Sequence, residues 1–289
     1  MNYLSSTRAR LALLTVLLLC GAPAMLAQSA SSPSTPSGAT GSIVGGKDNS
    51  PTNYENTMNM ASTRETNAFQ VFQSIPDSQF DKKIKSGDEF IKKFATSPYL
   101  PSVYSILAVT YLENGQPQKG FAAGEKALAL RPDDVRTLAN LAQAMARLYK
   151  PTDPDAVQEL QKAEEYAKKC IQITPTLPKP GNVTDEQFTE QTNRNLAMAH
   201  GALGLVSIHH GKYADAIPEL QRAIKLDDGK DATNLYLLGV AGQNSSHYAE
   251  AFDAFNKCAA AAPANLLKAC QDGAVAAQRS LASNSKPRQ

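Results

Sequence analysis

The sequence predicts an all-α fold: antiparallel helix pairs stacked side by side into a solenoid. Three observations carry this. Leu203, Gly204, Tyr213, Ala216 and Ala223 recur 35 residues later as Leu238, Gly239, Tyr248, Ala251 and Cys258, and Ala108 recurs 34 residues later as Ala142. Self-similarity at a fixed interval of this size marks a repeat array. Within each copy the small and apolar residues fall three and four apart (Leu235, Leu238 and Gly239, then Ala251, Phe255 and Cys258), so each set shares one helical face. Polar turns such as Asn114-Gly115 and Ser245-Ser246-His247 separate the members of a pair. Prolines such as Pro132, Pro175 and Pro263 close the second member, having no N–H to donate.

Residues 1–27 look like a secretory signal. Arg8 and Arg10 precede the apolar run Leu11 to Leu19, and Ala22-Pro23-Ala24 and Ala27 offer small-residue cleavage sites. The run is shorter than the ~20 residues needed to span a bilayer, so export is favoured over an uncleaved membrane anchor. Residues 28–61, rich in Ser, Thr, Pro, Gly and Asn, bury too little apolar surface to fold and read as a tether.

The folded body is expected over 62–282. Ser62-Thr63-Arg64-Glu65 fits a capping box at the start of the first pair, 62–98, with Ala68, Phe69, Val71 and Phe72 following. This pair lacks the small-residue set, as befits a terminal unit. The second pair, 101–132, presents Tyr104, Leu107, Ala108 and Tyr111 against Gly120, Gly124, Ala127 and Leu128. The third, 135–175, presents Leu138, Leu141 and Ala142 against Ala163, Ala167 and Cys170, with Pro151-Thr152-Asp153-Pro154 lengthening its turn. After the proline-rich connector 174–183, Thr184-x-x-Gln187 caps an unusually long helix whose first half, with Glu186, Glu190 and Arg194, is too polar to bury. That helix opens the fourth pair, 185–228, packed through Gly204, Ala216 and Ala223. The fifth pair, 232–263, packs through Gly239 and Ala251. A lone helix over 264–280 shields the last pair from water, and 283–289 reads as a tail.

The set Leu235-x-x-Leu238-Gly239-x-x-Gly242, then Ala251-x-x-x-Phe255, then Pro263 resembles the tetratricopeptide repeat, although Leu235 and Gly242 stand where that family has large aromatic residues. The first copy gives His200, Leu203, Gly204, Ser207, Ala216, Leu220 and Ala223 in the same places. The resemblance implies a right-handed superhelical array whose first helices line a concave wall that binds proteins or peptides. First-helix residues not used in pairing then face that wall: Arg136, Asn140, Gln143 and Arg147 in the third pair, and Tyr236, Gln243 and Asn244 in the fifth. Some repeats of this family clamp a peptide carboxylate with Lys, Asn and Arg. The corresponding Ser105, Ile106 and Val109 do not reproduce that clamp.

Catalytic and cofactor motifs are lacking. His209 and His210 point about 100° apart on a helix, so they cannot share a metal, and no Gly-rich phosphate loop or His-Glu-x-x-His occurs. No cofactor is expected, and an enzyme is disfavoured. Loss of Arg8 and Arg10 with the signal takes the formal charge from +2 to zero, which argues against nucleic acid and anionic lipid as partners. The expected function is a periplasmic or secreted adaptor for a protein or peptide, touching the membrane only through its export signal. A self-associating structural module is the alternative. Export also bears on the cysteines. Cys258 sits at the close-contact place of the last pair and Cys270 on the helix that packs next, so a Cys258–Cys270 disulfide is expected, the alternative being two small core residues.

Overall fold

The computed structural model describes residues 61–284. The expected signal 1–27, nearly all of the tether 28–61 and the end of the tail therefore lie outside the described residues. Eleven α-helices and no strand occur among the described residues: α1 (Thr63–Ser74), α2 (Phe80–Lys93), α3 (Leu100–Glu113), α4 (Pro117–Leu130), α5 (Val135–Leu148), α6 (Ala156–Ile173), α7 (Asp185–His209), α8 (Tyr213–Leu226), α9 (Ala232–Asn244), α10 (Tyr248–Ala261) and α11 (Ala264–Asn284). A 3₁₀ turn, Thr174–Thr176, follows α6. Successive helices pair as α3 with α4, α5 with α6, α7 with α8 and α9 with α10, and α11 packs on α10.

Helix starts follow from side chains that satisfy the orphan N–H groups. Ser62 and Glu65 form a reciprocal capping box on α1, as Thr184 and Gln187 do on α7. Asp134 accepts from the Thr137 N–H at the head of α5, and Asp231 from the Thr233 N–H at the head of α9. Pro117 occupies the first turn of α4, where its missing N–H costs nothing. The polar first half of α7 stands in solvent, with Arg194 paired to Glu190 at 3.5 Å. The last helix runs past its expected stop at 280 to Asn284, so Ser283 and Asn284 are helical rather than tail.

Two apolar clusters hold the array. The smaller joins α1–α4 through Phe69, Phe72, Phe90, Tyr99, Val103 and Leu107, and the larger runs from α4 to α11. The glycines explain how closely paired helices approach. A Cβ on Gly120 would lie 2.7 Å from Leu112, one on Gly204 2.6 Å from Leu220, and one on Gly239 2.6 Å from Phe255, all inside normal contact distance. The same holds at Gly242, where a Cβ would meet Ala251 and the His247 carbonyl at 3.2 Å. This accounts for the departure from the repeat pattern there: glycine lets α9 and α10 close up beside their turn, where a large side chain would hold them apart. Ala108, Gly120, Ala127, Ala142, Ala163, Cys170, Ala216, Ala223 and Ala251 are likewise buried.

Candidate partner-binding face

Aligning the pairs on Ala108, Ala142, Gly204 and Gly239 puts their inner-face residues in columns. One column runs Ile106, Asn140, Ala202, Leu237, and another Val109, Gln143, Leu205, Val240. Both change character along the array. In the fourth and fifth pairs they are apolar and sealed: Ala202, Leu205 and Leu237 are each 1% exposed and Val240 3%. These residues belong to the main core. Small residues cause the closure. Gly201 brings α7 so near α9 that a Cβ there would lie 2.6 Å from the Asn234 side-chain oxygen, and Ala139 and Ala146 of α5 are fully buried.

Two polar contacts fasten this closed seam, and a third ties α9 to α11. Arg147 at the end of α5 donates to the Asp231 carboxylate at the head of α9, 2.5 Å away, spanning past the fourth pair. Burial pushes the Asp231 carboxyl up, but the Arg147 guanidinium and the Thr233 hydrogen bonds together outweigh it and hold the group below the usual carboxylate range. His209 lies 2.9 Å from the Ala146 carbonyl through Nε2 and 4.6 Å from the Tyr149 ring. Burial lowers its pKa more than the carbonyl raises it, so the ring is neutral near pH 7 and Nε2–H donates to that carbonyl. Gln243 donates to Ser280 of α11 at 2.9 Å.

The Arg147–Asp231 pair gives a pH-dependent prediction. Because the folded carboxyl titrates below the unfolded one, its contribution is fully present above the ordinary range near 4 and fades as the pH falls through the folded value. Arg147→Ala should cost about 1–2 kcal/mol at pH 7, and urea midpoints of the two proteins should converge as the pH is lowered through the folded Asp231 value.

Three of the seven residues expected on a binding wall, Tyr236, Arg147 and Gln243, are therefore corrected. Tyr236 is 7% exposed and packs edge-on to Phe255, with ring centres 5.8 Å apart. Arg147 is committed to Asp231 and Gln243 to Ser280. Asn244 stays exposed, its amide bonded back to the Val240 carbonyl at 2.8 Å. The reasons differ: Tyr236 lies on the stretch of α9 that is buried from Ala232 to Gly242, whereas Arg147 and Gln243 are half-buried and taken up by bonds to other helices.

What stays open lies between α3 and α5. Arg136 is exposed and Asn140 and Gln143 are half-buried, and none of the three makes a hydrogen bond or ion pair among the described residues. Half-buried Ile106 and Val109 stand beside them in register. The two helices are set by a polar relay: Ser105 donates to Thr137 at 2.6 Å, and Thr137 to the Asp134 carboxylate at 2.8 Å. Ile106 and Val109 were legible as part of this face from the Ala108-to-Ala142 spacing. A cleft of about 500 Å³ on α2, the end of α3 and the start of α4 had no such signal. Asp81, Asp88 and Glu89 line it with Lys85, Lys92 and Lys119, so its formal charge balances.

Among the described residues no group of three His, Cys, Asp or Glu is placed to hold a metal ion, and no helix is long and apolar enough to cross a membrane. Cys170 is fully buried, bonded to the Val135 carbonyl, and burial pushes its thiol up to about 11. The Cys258 and Cys270 sulfurs lie 1.99 Å apart, with Cα atoms 5.7 Å apart.

Helix pairs of this length, nested through small residues at a 34- to 35-residue interval, define a tetratricopeptide-repeat solenoid, and this chain has that fold. Among solved structures it is similar to PilW, described as a widely conserved type IV pilus biogenesis factor, at 14% identity over 77% of this chain and 93% of that one, with a TM-score of 0.52. It is also similar to PilF of Pseudomonas aeruginosa, at 14% identity over 78% of this chain and 93% of that one, TM-score 0.51. A thermophilic tetratricopeptide-repeat protein of Thermus thermophilus matches at 20% identity over 75% of this chain and 99% of that one, TM-score 0.48. No protein-family model matches the sequence, and no curated protein does.

Proposed function

We propose that this protein is a non-enzymatic adaptor of the bacterial cell envelope that holds a protein or peptide partner on the inner face of α3 and α5. The observation that carries this is the contrast along the array. The inner columns are sealed core in the fourth and fifth pairs. In the second and third they offer Asn140 and Gln143 without partners among the described residues, with Arg136 likewise unpaired near the start of α5, beside half-buried Ile106 and Val109. An arginine and side-chain amides around an apolar patch suit a polypeptide surface. The near-neutral charge disfavours nucleic acid.

The envelope setting rests on the signal-like residues 1–27, with 28–61 as tether, and draws support from the pilus-biogenesis description of PilW. In that setting the paired sulfurs of Cys258 and Cys270 are a disulfide.

The test is co-purification from envelope extract with the wild-type chain, with Arg136→Glu plus Gln143→Glu, and with Lys225→Glu on exposed α8 as control. Recovery of the specific partner should fall at least about tenfold in the double variant and hold in the control. Undiminished recovery would remove this face from consideration.

A further inference from the structure

Helix α11 meets α10 through the Cys258–Cys270 pair, a link no other described helix pair has. In register it is the first helix of a sixth pair that has no second member: Ala274 stands 35 residues after Gly239, and Ala277 35 after Gly242. Its 21 residues bury only Leu266, Cys270, Ala274 and Ala277, one large side chain among four. Gly273 rests on the Phe255 ring so closely that a Cβ there would lie 2.5 Å from it, and Ser280 accepts from Gln243. Only Ala262 and Pro263 connect it to α10. Isolated helices are marginal in water and take most of their stability from a packed apolar face. The Cys258–Cys270 link adds a covalent tie to a face with one large buried side chain.

We propose that α11 is an oxidation-locked cap, held over Phe255 by the Cys258–Cys270 bond and released when a dithiol reduces that bond, while α3 to α8 stay folded. The inference rests on the disulfide reading given above. In the reduction, one thiolate of the dithiol attacks one of the two sulfurs and displaces the other as thiolate. The second thiol of the reagent then resolves the mixed disulfide. Two electrons and two protons pass to the protein, which holds two thiols, and the reagent leaves as its cyclic disulfide. Both cysteines are fully buried, so the attack waits on transient lifting of α11, and reduction turns that brief opening into a lasting one. Cys170 lies in the third pair, buried against the Val135 carbonyl, and stays outside the exchange.

The experiment uses the full chain. Peptide mapping without reductant first reads whether Cys258 and Cys270 are linked. Hydrogen exchange with mass detection is then followed with and without dithiothreitol, and in a Cys258→Ala plus Cys270→Ala variant that keeps both positions small and apolar. The expected result is a linked peptide, then at least about tenfold faster exchange over residues 264–284 on reduction and in the variant, with α3 to α8 unchanged. Both cysteines free in the oxidised protein would remove the disulfide on which the inference rests. A linked peptide with α11 protection unchanged on reduction would show that the bond is no lock. Loss of protection across the whole array at once would show that α11 is no separate cap.

Discussion

Leu237→Glu should unfold this protein or cost it more than about 4 kcal/mol, because it would place an unpaired carboxylate in sealed core. Leu237 is 1% exposed. The informative partner is Asn140→Glu, the same register column two pairs earlier, where the side chain is only half-buried. That change should cost under about 1 kcal/mol. Urea unfolding of both variants, followed by circular dichroism, measures the difference directly. On a uniformly open concave wall the two substitutions would behave alike. If Leu237→Glu proves as mild as Asn140→Glu, the closed seam between α5, α7 and α9 is wrong, and Tyr236 returns as a binding residue.

Phe255→Ala should cost about 3–5 kcal/mol, the range for emptying a buried aromatic site. Its ring is 3% exposed and lies between two glycines, Gly239 on α9 and Gly273 on α11, each so close that a Cβ would clash with it. Three helices thus meet on one side chain. Adding Gly239→Ala to Phe255→Ala should be cheaper than the two single changes summed, since the new methyl enters space the ring has vacated. A coupling of about 0.5–2 kcal/mol is expected from the double-mutant cycle. Strict additivity would mean that the glycine serves the helix backbone rather than the ring.

The rigid part of this architecture was written locally. Helix starts were legible in Ser62 with Glu65 and in Thr184 with Gln187, because a capping box is a contact across three residues and needs no distant partner. The small positions Gly204, Gly239, Ala216 and Ala251 were legible because repetition shows which residues serve pairing. The binding face was legible only in part. Arg136, Asn140 and Gln143 make no bond among the described residues, whereas Tyr236 is buried and Arg147 and Gln243 are bonded to other helices. The regular repeat geometry assumes first helices held apart, and nothing within one repeat tells how closely they approach.

Spacing along one or two neighbouring helices was enough to give the helix pairs, their fixed interval and the residues that nest within a pair. That the inner wall is shut over the fourth and fifth pairs emerged from the folded chain alone. That closure is a sum over side chains far apart in the chain: Gly201 against Asn234, Arg147 reaching Asp231, and α11 lying on Phe255. Whether a polar stripe faces a partner or the protein's own core depends on that sum.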